Sequence, residues 1–276
     1  MRVVTLTVPT EAAELAADRL WSAGAQAVEE READDDRVEL RTSLGNDDRV
    51  AARRLGAMPV GWTVAFVEVD ERPAETWREF ARPIVVSERL VIRPAWQDGG
   101  GADGALDVAI EPGGSFGLGD HPTTRATAAV LDDLVRPGHS VLDVGCGSGV
   151  LAVIAGLRGA ERVVAIDIAE PARAATVDNA RRNGVADRVE ASTTALGEVD
   201  GTFDLVAANI LAPTLVAMAP DLRRVTAAGG RLVISGVLTD GYDHVLTALA
   251  PMQVVARRDV DGWSAVTLAH PAGERG

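Results

Sequence analysis

Val141-Leu142-Asp143-Val144-Gly145-Cys146-Gly147-Ser148-Gly149 is the stretch on which the fold turns. Its first four residues form a short apolar run broken only by Asp143, as expected of a buried strand. Three glycines at alternate positions then predict a turn with backbone angles that other residues avoid and with room for a ligand against the main chain. Residues 151–157 follow as an apolar helix. In an open α/β sheet, ligands lie outside the carboxyl ends of the strands. Asp167 closes the next apolar run, 163–168, and stands 22 residues after Gly145. A carboxylate there can accept hydrogen bonds from both hydroxyls of a ribose.

Working outward, strands and helices alternate to the end of the chain. Strands are predicted at 140–144, 163–168, 188–191, 203–208 and 231–235. Helices are predicted at 171–183, with Pro171 in its first turn, and at 213–225 and 241–249. A hairpin around Asp261-Gly262 joins 253–259 to 263–269. This alternation predicts a seven-stranded, mostly parallel sheet with helices on both faces and a terminal antiparallel hairpin, a Rossmann-like α/β domain over 106–276.

Residues 1–70 read differently. Strands at 2–8, 25–32, 37–42 and 62–69 surround helices at 10–24 and 47–57, with Asp34-Asp35-Asp36 as a hairpin loop. The order β-α-β-β-α-β is that of a ferredoxin-like α+β domain. Between the two domains, 71–105 reads as a linker and mobile loop. It holds Trp77, Phe80, Pro83, Pro94 and Trp96, then Gly99-Gly100-Gly101 and Gly104.

Composition narrows the function. The 276 residues are 47% hydrophobic, ordinary for a globular protein. One cysteine, Cys146, allows no intrachain disulfide and fits a reducing, cytoplasmic setting. No apolar run approaches the roughly 18 residues of a membrane span, so no membrane partner is expected. All 27 basic residues are Arg, against 41 acidic ones, a net charge of −14. Such a surface repels nucleic acid and attracts basic partners. No direct nucleic-acid partner is expected, and a monomer is.

The glycine turn admits two cofactors. A dinucleotide site wants G-x-G-x-x-G before a helix that faces a pyrophosphate. Here the spacing is G-x-G-x-G, with Val150 in the final place and Asp143 two residues before the first glycine. That acid disfavours a pyrophosphate and suits a cation. The stretch resembles the first motif of the class I S-adenosylmethionine methyltransferases, which implies that cofactor, with NAD far behind. Cys146 reads as a small residue filling the turn, since no base is placed to activate it.

Two further motifs narrow the resemblance. Phe116-Gly117-Leu118-Gly119-Asp120-His121-Pro122-Thr123-Thr124 combines glycines for close approach with threonines for helix capping and spare hydroxyls. Asn209-Ile210-Leu211-Ala212 follows the strand 203–208, where an Asn oxygen can accept from a target amine. No Pro-Pro-aromatic platform follows it, which disfavours a flipped base as target. Both motifs resemble signatures of the PrmA family, the methyltransferases of ribosomal protein L11. Trp77–Phe80, Pro83 and Ser87–Trp96 are similar to the family's linker, and the first 70 residues match its substrate-recognition domain in size and order.

The resemblance implies protein N-methylation of L11 at lysine amines, with N-terminal amines as a second target. A relative acting on another protein or on a small amine is the alternative. Carried over by position, the cofactor contacts are Thr124, Asp143, Gly145, Gly147, Gly149, Asp167 and Asn209. Asn209 is expected to orient the amine. His121 is expected either to relay a proton or touch substrate, or to hold the glycine loop by a structural hydrogen bond. Leu118 departs from the family's Thr or Ser. No metal-ligand spacing appears.

Overall fold

The computed structural model describes residues 2–25, 28–33, 36–45, 47–68, 81–99, 104–111 and 119–271. The chain divides into two compact units, Met1–Phe80 and Ala81–Gly276.

The first unit runs β1 (Arg2–Pro9), α1 (Ala13–Ser22), β2 (Glu29–Glu32), β3 (Arg37–Thr42), α2 (Asp48–Leu55) and β4 (Thr63–Glu68). Its sheet has the order β2-β3-β1-β4 with every pair antiparallel, the ferredoxin-like arrangement. Alternation decides the inner face. Val38 and Leu40 of β3 are buried, and they join Leu6, Val8 and Leu20 in one core. A Leu side chain so buried contributes about 1.5–3 kcal/mol. Helix α2 begins where the Asp47 carboxylate accepts from the backbone N–H of Arg49 (2.8 Å) and Val50 (3.3 Å), and it stops at Gly56, whose φ is 67°.

The second unit opens with three strands: β5 (Ile84–Ser87), β6 (Leu90–Pro94) and β7 (Leu106–Ile110). They form a sheet of their own, antiparallel between β5 and β6 and parallel between β6 and β7. Here the structure departs from the linker expected over 71–105. Leu90, Ile92, Val108 and Ile110 are wholly buried and share a core with the large domain. Residues 84–94 are therefore part of that domain's body. Trp77 and Phe80, and residues 100–103 of the glycine-rich loop, lie outside the described residues.

The chain continues through α3 (Pro122–Leu134), β8 (Ser140–Val144), α4 (Val150–Leu157), β9 (Arg162–Ile166), α5 (Glu170–Arg182), β10 (Val189–Ser192), β11 (Phe203–Asn209), α6 (Ala212–Val225), β12 (Thr226–Leu238), α7 (Asp243–Leu249), β13 (Gln253–Val260) and β14 (Trp263–Ala269). The seven-stranded sheet has the order β10-β9-β8-β11-β12-β14-β13. Five strands are parallel, and β14 inserts antiparallel between β12 and β13. The hairpin is present, but its second strand lies inside the sheet and its first forms the edge.

Period-two alternation gives the sheet two cores. Val141, Leu205 and Val233 face one side, with Leu131 of α3 and Ile154 of α4. Leu142, Val206 and Leu232 face the other, with Leu215 of α6 and Leu249 of α7. Asp143 falls in phase with Val141, so it points beneath α4. No helix among the described residues is long and apolar enough to cross a membrane.

Candidate active site

β8 and β11 are parallel neighbours with Val144 opposite Ala208, so Gly145 and Asn209 leave the sheet side by side. Gly145, Gly147 and Gly149 have φ of 74°, 53° and 78°, the left-handed region that favours glycine. The turn is fastened from two sides. The Gly145 and Cys146 amides both donate to the Ile166 carbonyl (2.8 and 3.1 Å). One oxygen of the Asp167 carboxylate accepts from the Gly147 amide (3.0 Å) and the other from the Ala169 amide (2.9 Å). Asp167 thus shapes the loop as well as standing at the expected strand end.

Ile210 lies between two glycines. A Cβ on Gly145 would come within 2.5 Å of its Cγ2, and one on Gly236 (φ 86°) within 2.3 Å of its carbonyl oxygen. A Cβ on Gly149 would meet Thr176 of α5 at 2.7 Å. Close packing around the turn, as well as the backbone angles, therefore requires these glycines.

Asp143 is 1% exposed. Its Oδ2 accepts from the Ala152 amide (3.2 Å) in the first turn of α4, where unpaired N–H groups favour an acid. Its Oδ1 is buried with no hydrogen-bond partner among the described residues. Burial pushes this carboxyl up to about 7; the Ala152 amide opposes the rise and the Asp167 charge adds to it. Cys146 is also buried, and its thiol is pushed up to about 12, first by burial and then by Asp143. Thr176 Oγ1 donates to its sulfur at 3.3 Å. A thiol so held fills the turn and is no nucleophile.

Thr124 lies in the first turn of α3, 2% exposed, and its hydroxyl receives a bond from Asn209 Nδ2 (3.4 Å). The cap of α3 differs from the sequence expectation. His121, not a threonine, takes that role, its Nδ1 accepting from the Thr123 amide (3.3 Å) and meeting the Thr123 hydroxyl (2.8 Å). Pro122 at the first helical position fixes the start of the helix there and draws both threonines inside it. The His121 ring meets Trp263 edge to face, with centroids 5.2 Å apart. Phe116, Gly117 and Leu118 lie outside the described residues.

The structure thus gathers Thr124 with Asn209, and Gly147 with Asp167, around the carboxyl ends of β8, β9 and β11. Sequence reading missed Gly236, Trp263 and the polar residues of α5. The spacing 176, 179, 183 of Thr, Asn and Asn on one helix face was a signal that could have found the last group.

Residues 60–270 match the family model described as Ribosomal protein L11 methyltransferase (PrmA). The chain belongs to that family. A ribosomal protein L11 methyltransferase of Geobacter sp. (strain M21) is 40% identical over 204 residues, 72% of this chain and 67% of that protein. One of Symbiobacterium thermophilum is 39% identical over 239 residues, 85% of this chain and 76% of that protein. A crystal structure of a ribosomal protein L11 methylase from Lactobacillus delbrueckii subsp. bulgaricus superposes with a TM-score of 0.63 at 32% identity, covering 68% of this chain and 98% of that one. The PrmA-family chain is an S-adenosylmethionine-dependent methyltransferase with a Rossmann-like catalytic fold.

Its residues fit that cofactor on one observation: among the described residues, Asp143 near the end of β8 keeps a buried carboxylate oxygen with no hydrogen-bond partner, which suits a cationic ligand.

Proposed function

We propose that this chain methylates amines of ribosomal protein L11, lysine side chains first among them. The proposal rests on one relationship: the paired side chains of Asn209 and Thr124 beside the glycine turn, in a chain of the L11 methyltransferase family. Asp143, Gly145, Gly147, Gly149 and Asp167 would hold the cofactor, together with Thr124 and Asn209. When bound, S-adenosylmethionine supplies a methyl group made electrophilic by its sulfonium.

The chain's own task is to present a neutral amine in line with that methyl. A lysine amine with an ordinary pKa of about 10.4 is mostly protonated at pH 7, and freeing its lone pair costs about 4–5 kcal/mol. A desolvated site lowers that cost, because burial disfavours the ammonium. Thr124 holds Asn209 by its Nδ2, which leaves the carboxamide oxygen as an acceptor. An amine N–H bonded to that oxygen has its lone pair directed away from Asn209, and an approach of roughly 3–3.5 Å is then required. His121, occupied in capping α3 and packing on Trp263, holds the motif's helix in place.

The net charge of −14 favours a basic protein substrate and speeds its encounter at low salt. The test is intact-mass analysis of purified L11 incubated with this enzyme and S-adenosylmethionine, with Asp167→Ala as control. Mass gain in methyl steps that the variant loses is the expected result. No gain by an enzyme that binds the cofactor would overturn L11 as substrate and turn attention to another protein or a small amine.

A further inference from the structure

Helix α5 carries Thr176 and Asn179 on one face, both wholly buried, and Asn183 follows as its C-cap. A buried carboxamide costs free energy unless its hydrogen bonds are made. Asn179 makes all four. Its Nδ2 donates to the carbonyls of Ser148 (2.9 Å) and Glu111 (2.8 Å). Its Oδ1 accepts from the Glu111 amide and from Arg182 Nη1, each at 2.9 Å. Asn183 repeats the strand-pairing half of this pattern one turn later. It donates to the Ala109 carbonyl (2.8 Å) and accepts from the Ala109 amide (3.0 Å). Its Nδ2 also donates to the Asn179 carbonyl (2.8 Å).

The two amides therefore pair with residues 109 and 111 as a neighbouring strand would. β7 has β6 on one side only, so its other edge is covered by side chains of a helix. The spacing permits it. Four residues of helix rise about 6 Å, and two residues of strand about 6.6 Å. Only Asn179 reaches further, to Ser148 between the second and third glycines of the turn. The single Thr176 hydroxyl hydrogen is shared between the Cys146 sulfur and the Gly147 carbonyl, each 3.3 Å away.

We propose that Asn179 is a positioning residue for the cofactor. It ties the glycine turn to Glu111, the residue just past the end of β7. The turn and the end of β7 are then held together by one side chain. Asn183 fixes the strand without touching the turn. The inference rests on the reading of the turn as the cofactor site.

Titration calorimetry with S-adenosylhomocysteine tests it on the full chain. Asn179→Ala is expected to weaken binding at least tenfold, and Asn183→Ala less than threefold, although both lower the melting temperature. Asn179→Asp keeps the acceptor but not the donor to Ser148, and it should weaken binding like Asn179→Ala. Equal losses for the Asn179 and Asn183 variants, or unchanged affinity at 179, would overturn the proposal. If Asn179→Ala does not fold, the wild-type protein decides by amide hydrogen exchange. Saturating S-adenosylhomocysteine should slow the Glu111 amide more than the Ala109 amide, and no change at Glu111 would overturn the coupling. The wild-type titration tests the cofactor site alone: no binding there overturns both readings, whereas binding with insensitive variants overturns only this one.

Discussion

Asn209 at the end of β11 donates to the Thr124 hydroxyl in the first turn of α3, across 3.4 Å and 85 positions of sequence. The bond selects one of the two ways the amide can face. Thr124→Val keeps the shape and removes the acceptor. A net hydrogen bond of about 0.5–1.5 kcal/mol sets the expected loss at a few-fold to about tenfold in kcat. Asn209→Ala should cost more, since the amine then has no acceptor. Initial rates of methyl transfer to L11 at saturating cofactor check both, and equal rates for Thr124→Val and wild type would refute the orienting bond.

Asp143 makes the ligand-free protein sensitive to pH. The folded carboxyl keeps its proton to about pH 7, whereas the ordinary value is 3.8. Between those values the folded state holds more protons than the unfolded one, so stability falls as pH rises from about 4 to 7. The full shift would correspond to at most about 4 kcal/mol. Urea unfolding at pH 5 and 7 should show this slope in the wild type and lose it in Asp143→Asn. A cationic ligand favours the carboxylate, so its uptake below pH 7 should expel a proton, with affinity falling up to about tenfold per pH unit. Calorimetry in two buffers of different ionisation enthalpy counts that proton.

Cys146 should be silent. Its thiol is buried and held near 12, so thiolate is scarce at pH 8. Native protein should react with a disulfide reagent far more slowly than urea-unfolded protein, and Cys146→Ala should retain methyl transfer. Rapid native modification with loss of activity would contradict the filler role.

Asp132 near the end of α3 should anchor the β5–β6 hairpin. Its side chain is 1% exposed and takes both Arg158 and Arg89, the latter at 3.0 Å. Arg158 also donates to the Arg89 carbonyl (2.9 Å). Arg89 is 60% exposed, which discounts its share of the pair. Asp132→Asn is expected to cost about 1–3 kcal/mol of stability and leave the activity per folded molecule unchanged. Thermal unfolding and rates together check it.

The places in the fold of the candidate site's contiguous motifs could be read from the sequence. Gly145, Gly147, Gly149 and Asn209 each sit where a strand gives way to a turn, and Asp167 follows a run of strand residues. Other parts depend on partners distant along the chain. Leu90 and Ile92 look like any short apolar run until β7 pairs beside them, 16 residues on. Asn179 and Asn183 look like ordinary polar residues near a helix end, because the backbone they bind is some 70 positions away. His121 took the cap from the threonines because Pro122 set the helix start, a contest between two local rules that the motif alone did not rank.

The two glycines flanking Ile210 differ in how freely a lineage could replace them. At Gly145 the obstacle is a side-chain methyl, so a smaller residue at 210 would relieve the crowding and leave only the cost of the backbone angle. At Gly236 the obstacle is a main-chain carbonyl that every residue carries, and no change at 210 removes it. Drift at 145 is therefore conditional on what came first at 210, while 236 has no such route open to it.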